Sequence, residues 1–118
     1  MDSKNEIVSL SMDFAVRIVN LYKYLCDVKR EFILSKQLLR SGTSIGANIR
    51  EAVYGQSKND FISKMCISLK ETSETEYWLE LLFKTNYLDN KQFNSISSDC
   101  ARLARILTSI IKTSKSNR

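Results

Sequence analysis

The residues best suited to chemistry in this chain of 118 residues are the carboxylates of the segment Lys70–Glu76, KETSETE. Glu71 and Glu74 lie three positions apart, so on a helix they share one face, as paired carboxylates must for acid–base work or metal ligation. Carboxylate metal sites of helical bundles, however, combine Glu with His in Glu-x-x-His pairs, and the sequence has no His. Paired acids at this spacing more often form a solvated helix face, and we expect no metal.

Other catalytic chemistry also lacks its residues. Without His there is neither a Ser-His-Asp triad nor a Cys-His pair, and no Gly-rich phosphate loop of the Walker type occurs. Cys26, Cys66 and Cys100 are widely spaced with no C-x-x-C pair, which argues against zinc and against a disulfide framework. We interpret them as small buried hydrophobes. The sequence therefore predicts a non-enzymatic protein with no cofactor.

The basic residues offer a different chemistry, the binding of polyanions. The chain has 18 Lys and Arg against 13 Asp and Glu, a net charge of +5, and no acidic residue follows Asp99. Arg102, Arg105 and Lys112 share one outward flank of a helix, and we take them as candidate contacts to nucleic acid. A second candidate set comprises Lys29, Arg30 and Lys36. The alternative is a solvated helix end whose cations suit the helix dipole.

Four amphipathic segments must position these side chains. Apolar residues recur with the helical period, which predicts helices at about 4–27, 31–54, 58–86 and 90–113 in one domain of residues 1–118. There is no Pro and there are only three Gly, so the turn chemistry of a many-stranded β domain is missing. Joints near 28–30, 55–57 and 87–89 are short, which makes successive helices antiparallel neighbours. The predicted fold is all-α, an antiparallel up-down-up-down four-helix bundle.

Capping residues in the sequence predict where some of the helices begin and end. Ser3–Glu6 and Ser57–Asp60 resemble capping boxes, Asp89–Gln92 opens the fourth helix, and Gly55 is a candidate C-cap. In the fourth helix the inward residues recur at spacings of 3, 4, 3, 4 and 3, a near-heptad seam, and they are Phe93, Ile96, Cys100, Leu103, Leu107 and Ile110. We expect the polar tail, residues 113–118, to fray.

Three features exceed what a simple bundle needs. Gly42 and Gly46 lie inside the second helix, where each costs about 1 kcal/mol relative to Ala, and we interpret them as points of close helix approach or of a bend in the helix. We expect the buried face of the third helix to consist of Phe61, Ile62, Met65, Cys66, Leu69, Tyr77, Leu81 and Leu82. The stripe continued from Leu69 runs into Thr72, Ser73 and Glu76, so we expect a partly buried carboxylate paired with Arg40 or Arg50. That helix is also apolar nearly all round its later part, which predicts a homo-oligomer, through Tyr77, Trp78, Leu79, Leu81, Leu82 and Phe83.

These residues carry a family resemblance. The segment Gln37–Ala52, QLLRSGTSIGANIREA, resembles the signature of the four-helix-bundle family named after 23S rRNA intervening sequences, and Leu69–Leu82 continues the match. The resemblance covers about residues 12–88, and the fourth helix matches in pattern only. We assign a structural role to the polar residues of the matching segments: Arg40, Ser44, Asn48, Glu51, Glu71 and Glu74.

The resemblance implies a small bacterial protein, similar to the accessory variability protein of diversity-generating retroelements. Such relatives form a pentamer that binds nucleic acid and a reverse transcriptase. Many family members have Pro before the second helix, which this chain lacks, and its first inter-helix turn is expected to differ.

We therefore expect an oligomeric protein, with five subunits favoured by the resemblance, that binds RNA or other nucleic acid through basic helix surfaces. The alternative is a self-assembling scaffold or an adaptor for a protein partner with no nucleic-acid role. The sequence has neither a basic-then-apolar leader nor about 20 consecutive apolar residues, so we expect a cytoplasmic protein without a membrane span.

Overall fold

Four long helices account for nearly all of the described chain. The computed structural model describes residues 3–117, with helices α1 (Ser3–Asp27), α2 (Leu34–Val53), α3 (Lys58–Lys84) and α4 (Asn90–Ser116). Each helix packs on the next in the chain, and α1 also packs on α4. The rod-shaped molecule measures 47 × 22 × 22 Å. The predicted all-α, up-down-up-down bundle is confirmed.

The second helix begins three residues later than predicted, at Leu34 instead of residue 31. Its first amides are bound by the carboxylate of Glu31, which accepts the N–H groups of Ile33, Leu34 and Ser35 at 3.0, 3.0 and 2.7 Å. The Ser35 hydroxyl in turn donates to the Glu31 carbonyl oxygen at 2.8 Å. The α1–α2 joint, residues 28–33, is therefore longer than expected, because Glu31 acts as the cap of the helix and not as its first residue.

The ends of α3 and α4 also differ from the prediction. The third helix ends at Lys84, two residues early, because Asn86 takes a left-handed backbone conformation with φ 71°. The fourth helix continues to Ser116, three residues beyond the predicted end and into the tail expected to fray. Lys58 at the start of α3 donates to the Asn117 carbonyl oxygen at 3.0 Å, which attaches this last turn to the bundle.

The predicted caps are present where their side chains are described. Ser57 accepts the Asp60 N–H at 3.0 Å, and Asp89 and Gln92 form a complete reciprocal capping box. The Ser3 part of the first predicted box lies outside the described side chains. The second helix ends at Val53, with Tyr54 as its C-cap residue, and Gly55 does not have a positive φ, so Gly55 does not supply the left-handed turn of a glycine C-cap.

The core follows the predicted stripes except in the middle of α3. The α4 seam lies inward, with Ile96, Cys100, Leu103, Leu107 and Ile110 all buried. In α3, by contrast, the central buried positions are hydroxyl residues, and Tyr77, predicted to be buried, is 58% exposed. The expectation failed because it followed apolar residues, whereas the inward positions of this stretch are Ser68, Thr72 and Thr75.

Small side chains bring α2 close to both of its neighbours. The Ser68 hydroxyl donates to the Ile45 carbonyl oxygen at 2.9 Å, a contact from α3 to the α2 backbone. Thr75 Oγ1 lies 2.9 Å from Ser41 Oγ, across the same interface. On the α1 side, a Cβ added at Gly42 would lie 2.7 Å from Ile18 Cγ1. The interpretation of the glycines as points of close helix approach is confirmed.

Candidate nucleic-acid interface

The outward face of α4 is mainly positive. The exposed cations among the described residues of α4 are Lys91, Arg102, Arg105, Lys112 and Lys115. The one carboxylate of the helix, Asp99, has a side chain that is 49% exposed at the edge next to α1. The exposed residues between the cations are uncharged and include Asn94, Ser98, Thr108 and Ser109. A phosphate backbone lying along this face would meet cations and neutral polar groups, with Asp99 at its edge.

Lys91 also belongs to this face, although it was not among the predicted candidates. Lys91 precedes Arg102 by about three helical turns and therefore lies over the same flank. This helical spacing is visible in the sequence, but the predicted candidates on this helix were taken from the residues beyond Asp99. With Lys91 the row of cations extends from the first turn of α4 to Lys112 near its end.

Neighbouring helices reduce the positive charge at one point of the row. Asp99, the only acidic residue in α4, is bound by Arg17 of α1, whose guanidinium Nη1 lies 2.6 Å from Asp99 Oδ2. Arg102 lines a small surface pocket together with Asp99 and with Asp13 of α1. Arg105 and Lys112 have no such carboxylate among the contacts of the described residues. The strongest positive field on α4 is therefore expected around Arg105 and Lys112.

The second candidate set lies at the other end of the bundle from Lys112. Lys29 and Arg30 belong to the α1–α2 joint and Lys36 to the first turn of α2, and all three side chains are exposed. The joint lies at the end of the rod where α4 begins, whereas Lys112 lies near the end where α4 finishes. The structure thus places Lys29, Arg30 and Lys36 at the opposite end of the rod from Lys112 and does not bring the six candidates together.

The polar residues of the resemblance segments have structural contacts. Arg40 binds both predicted carboxylates, with its Nη1 3.4 Å from Glu71 Oε2 and its Nη2 in contact with Glu74. The Arg40 side chain is 50% exposed and that of Glu71 only 19%. The predicted pair is confirmed, with Arg40 and not Arg50 as the cation. Because Arg40 is half in solvent, we expect the pair to contribute about 1 kcal/mol or less.

The other residues of this set have local roles. The Ser44 hydroxyl donates to the Arg40 carbonyl oxygen at 2.6 Å, and the half-buried Asn48 donates from its amide to the Ser44 carbonyl oxygen at 2.9 Å. Glu51 is exposed and lies 3.9 Å from Lys64 Nζ. The buried-face continuation predicted through Ser73 and Glu76 is wrong, because both are exposed and only Thr72 points inward.

The described cysteines and carboxylates do not form a metal-binding cluster. No group of three or more Cys, Asp or Glu in residues 3–117 is placed to hold a metal ion. Cys100 is buried and donates to the Thr72 carbonyl oxygen at 3.6 Å. Burial, together with the negative charges of Glu76 and Asp99, raises the pKa of the Cys100 thiol to about 12. Cys26 and Cys66 are half-buried and also free, less buried than predicted.

An all-α bundle with a basic face on its last helix is the class that the fold and surface define. Residues 3–109 match the family of 23S rRNA-intervening sequence proteins, and the chain belongs to that family. It is similar, at 56% identity and a TM-score of 0.93, to a crystal structure from Bacteroides thetaiotaomicron VPI-5482, described as a protein with unknown function from the S23 ribosomal protein family. The similarity covers 94% of this chain and 99% of that one.

Two further findings concern curated relatives and membrane-spanning helices. No curated protein matches this chain. Within residues 3–117, none of the four helices has a stretch long and apolar enough to cross a membrane.

Proposed function

We propose that this protein binds nucleic acid, RNA in the first instance, through the exposed face of α4. The observation that supports the proposal is that this face presents five exposed cations, while the one carboxylate of α4, that of Asp99, is paired with Arg17 of α1. Arginine and lysine side chains contact phosphate oxygens, and each neutralised phosphate releases condensed counterions, which drives binding. Such contacts position a strand without reading its sequence. The role is one of binding, with no reaction catalysed.

The experiment removes three charges from this face. In the variant Arg102→Gln/Arg105→Gln/Lys112→Gln we expect weaker binding to every RNA sequence tested, because phosphate contacts are independent of sequence. The slope of log affinity against log salt concentration should fall by up to about three. Electrophoretic shifts with structured rRNA across a salt series measure both quantities, and circular dichroism checks that the helices remain.

A matched control removes the same charge elsewhere. The variant Lys23→Gln/Lys70→Gln/Lys84→Gln changes one exposed lysine of α1 and two of α3. It should keep most of the affinity and the parent salt slope if α4 carries the contact. Equal losses in the two variants would show a response to net charge alone. No binding by the parent protein at low salt would leave the scaffold function as the alternative.

A specific observation favours assembly as a second function. On α3, Tyr77 is 58% exposed and Ile67 is 40% exposed, while Trp78 and Leu81 beside Tyr77 are only half-buried. Aromatic residues are enriched at protein interfaces. We therefore extend the proposal to a homo-oligomer, a pentamer by the resemblance, which would repeat the α4 face around a ring. A protein partner such as a reverse transcriptase belongs to the same proposal.

A further inference from the structure

The α1–α2 joint forms an exposed tip that the α4 proposal does not use. Phe32 is 44% exposed and Ile33 is 75% exposed, on a chain segment that links two helices and needs neither side chain for the core. The guanidinium of Arg30 lies over the Phe32 ring, with its carbon 5.0 Å from the ring centroid. The tip thus presents an aromatic ring with a planar cation already stacked against it.

The backbone holds this arrangement in place. Glu31, the residue between Arg30 and Phe32, is buried. Its carboxylate accepts hydrogen bonds from three successive backbone amides. Arg30 itself has φ 55°, in the left-handed region that residues other than Gly, Asn and Asp rarely adopt. Such conformations persist where the surroundings impose them, and they cluster at functional sites. The ring and the guanidinium are therefore presented by a fixed turn.

Charge also distinguishes the tip from an ordinary exposed apolar patch. Lys29 and Lys36 flank Arg30 and Phe32, and neither has an ion-pair partner among the described contacts. Glu31 is occupied by the α2 amides, so the one exposed acidic residue in the segment 27–36 is Asp27. A ligand that suits this surface has planar apolar faces and regularly spaced negative charges. A protein ligand would have to combine planar apolar faces and spaced negative charges on its surface, whereas an unpaired nucleotide strand carries a planar base and a phosphate charge in every nucleotide.

We propose that the tip formed by Lys29, Arg30, Phe32 and Lys36 binds unpaired nucleotides, with a base stacked on the Phe32–Arg30 pair and the adjoining phosphates held by the two lysines. The inference rests on the proposed nucleic-acid function and specifies that this surface binds the strand in its unpaired form. Bases in a duplex are stacked on one another and cannot reach the ring, whereas a single strand can place a base there.

The test compares an unpaired RNA of about 12 nucleotides with the same strand annealed to its complement, both fluorescently labelled. In Phe32→Leu, which keeps an apolar side chain and removes the ring, affinity for the single strand should fall about five- to a hundredfold, the range for stacking one base on an aromatic side chain. Affinity for the duplex should be unchanged. Phe32→Tyr, which retains a ring, should bind the single strand as the parent does.

Two further variants test the contribution of the guanidinium and that of general apolar contact. Arg30→Asn removes the guanidinium with a residue that tolerates the left-handed backbone, and it should also weaken single-strand binding. Ile33→Ala removes the most exposed apolar side chain of the tip and should have no effect. Parent-like single-strand affinity in Phe32→Leu would overturn the inference. So would an equal loss in Ile33→Ala, which would indicate an apolar docking surface for a protein.

The two proposals fail in different ways. A parent protein that binds duplex, loses that affinity in the α4 triple variant and ignores the single strand would overturn the tip assignment alone. A parent protein that binds neither form would overturn both.

Discussion

At Gly42 the absence of a side-chain methyl group allows α2 to pack closely against Ile18 of α1. In Gly42→Ala the new Cβ would lie 2.7–2.9 Å from three atoms of the fully buried Ile18 side chain. Alanine gains about 1 kcal/mol in the helix, but overpacking a closed core costs about 1–3 kcal/mol. We expect a lower melting temperature, measured by circular dichroism.

Gly46 provides the control for that substitution. A Cβ at Gly46 would meet the Ser11 hydroxyl at 3.3 Å, a tight contact that a small shift relieves. Gly46→Ala should therefore keep or raise the melting temperature, because the helical gain remains. Equal destabilisation in the two variants would contradict the difference drawn between the two contacts. The glycine pair was readable from the sequence, but its partners on α1 were not, because four-residue spacing does not say which neighbouring side chain lies opposite.

Among the elements, the start of α2 depends on one carboxylate. Burial alone would raise the pKa of Glu31, but the three N–H donors outweigh it and hold the pKa below its ordinary value of 4.5. A lowered folded-state pKa stabilises the protein above the unfolded pKa, and this stabilisation is lost as the pH falls through the folded value. In Glu31→Gln we expect a loss of about 1–2 kcal/mol in the free energy of unfolding at neutral pH.

The pH dependence identifies the cause of that loss. The difference between parent and Glu31→Gln should shrink as the pH falls below 4.5, because the parent carboxylate then becomes protonated as well. Urea unfolding at neutral pH and at about pH 3 measures the difference. Glu51→Gln, which neutralises an exposed carboxylate in the same helix, should have little effect at either pH. If the loss of unfolding free energy in Glu31→Gln did not change with pH, its cause would be altered packing and not the missing carboxylate charge.

The elements differ in how far their sequence determines them. The α4 seam is apolar at every inward position, and its cap and most of its core were predicted, although Phe93 is only half-buried and the buried Ile111 was not predicted. In α3 the inward positions are hydroxyl residues that bond to backbone carbonyls, so hydrophobic periodicity misplaced Tyr77. At α2 the cap is a Glu that reaches forward two to four residues, which no Ser-x-x-Glu pattern reveals.

At the scale of the whole molecule, topology decides which charges meet. The fold class was predictable because four amphipathic segments with short joints have one simple closed arrangement. The basic face was predictable within α4, since helical spacing alone aligns Arg102, Arg105 and Lys112. The weaker positive charge around Arg102 was not predictable from the sequence. It depends on Asp13 of α1, which shares a pocket with Arg102 only because α1 packs on α4.

Assembly is the property of the whole molecule that the exposed α3 residues predict. In light scattering at micromolar concentration we expect a mass several times 13.6 kDa, with five copies favoured by the resemblance. Tyr77→Glu places a charge beside Trp78 and Leu81, and its burial in an interface would be costly, so we expect a shift toward monomer. Ser98→Glu, an equal change on the exposed face of α4, should leave the mass unchanged. A parent protein of monomer mass would contradict assembly, and a Tyr77→Glu variant of parent mass would place the interface on another face.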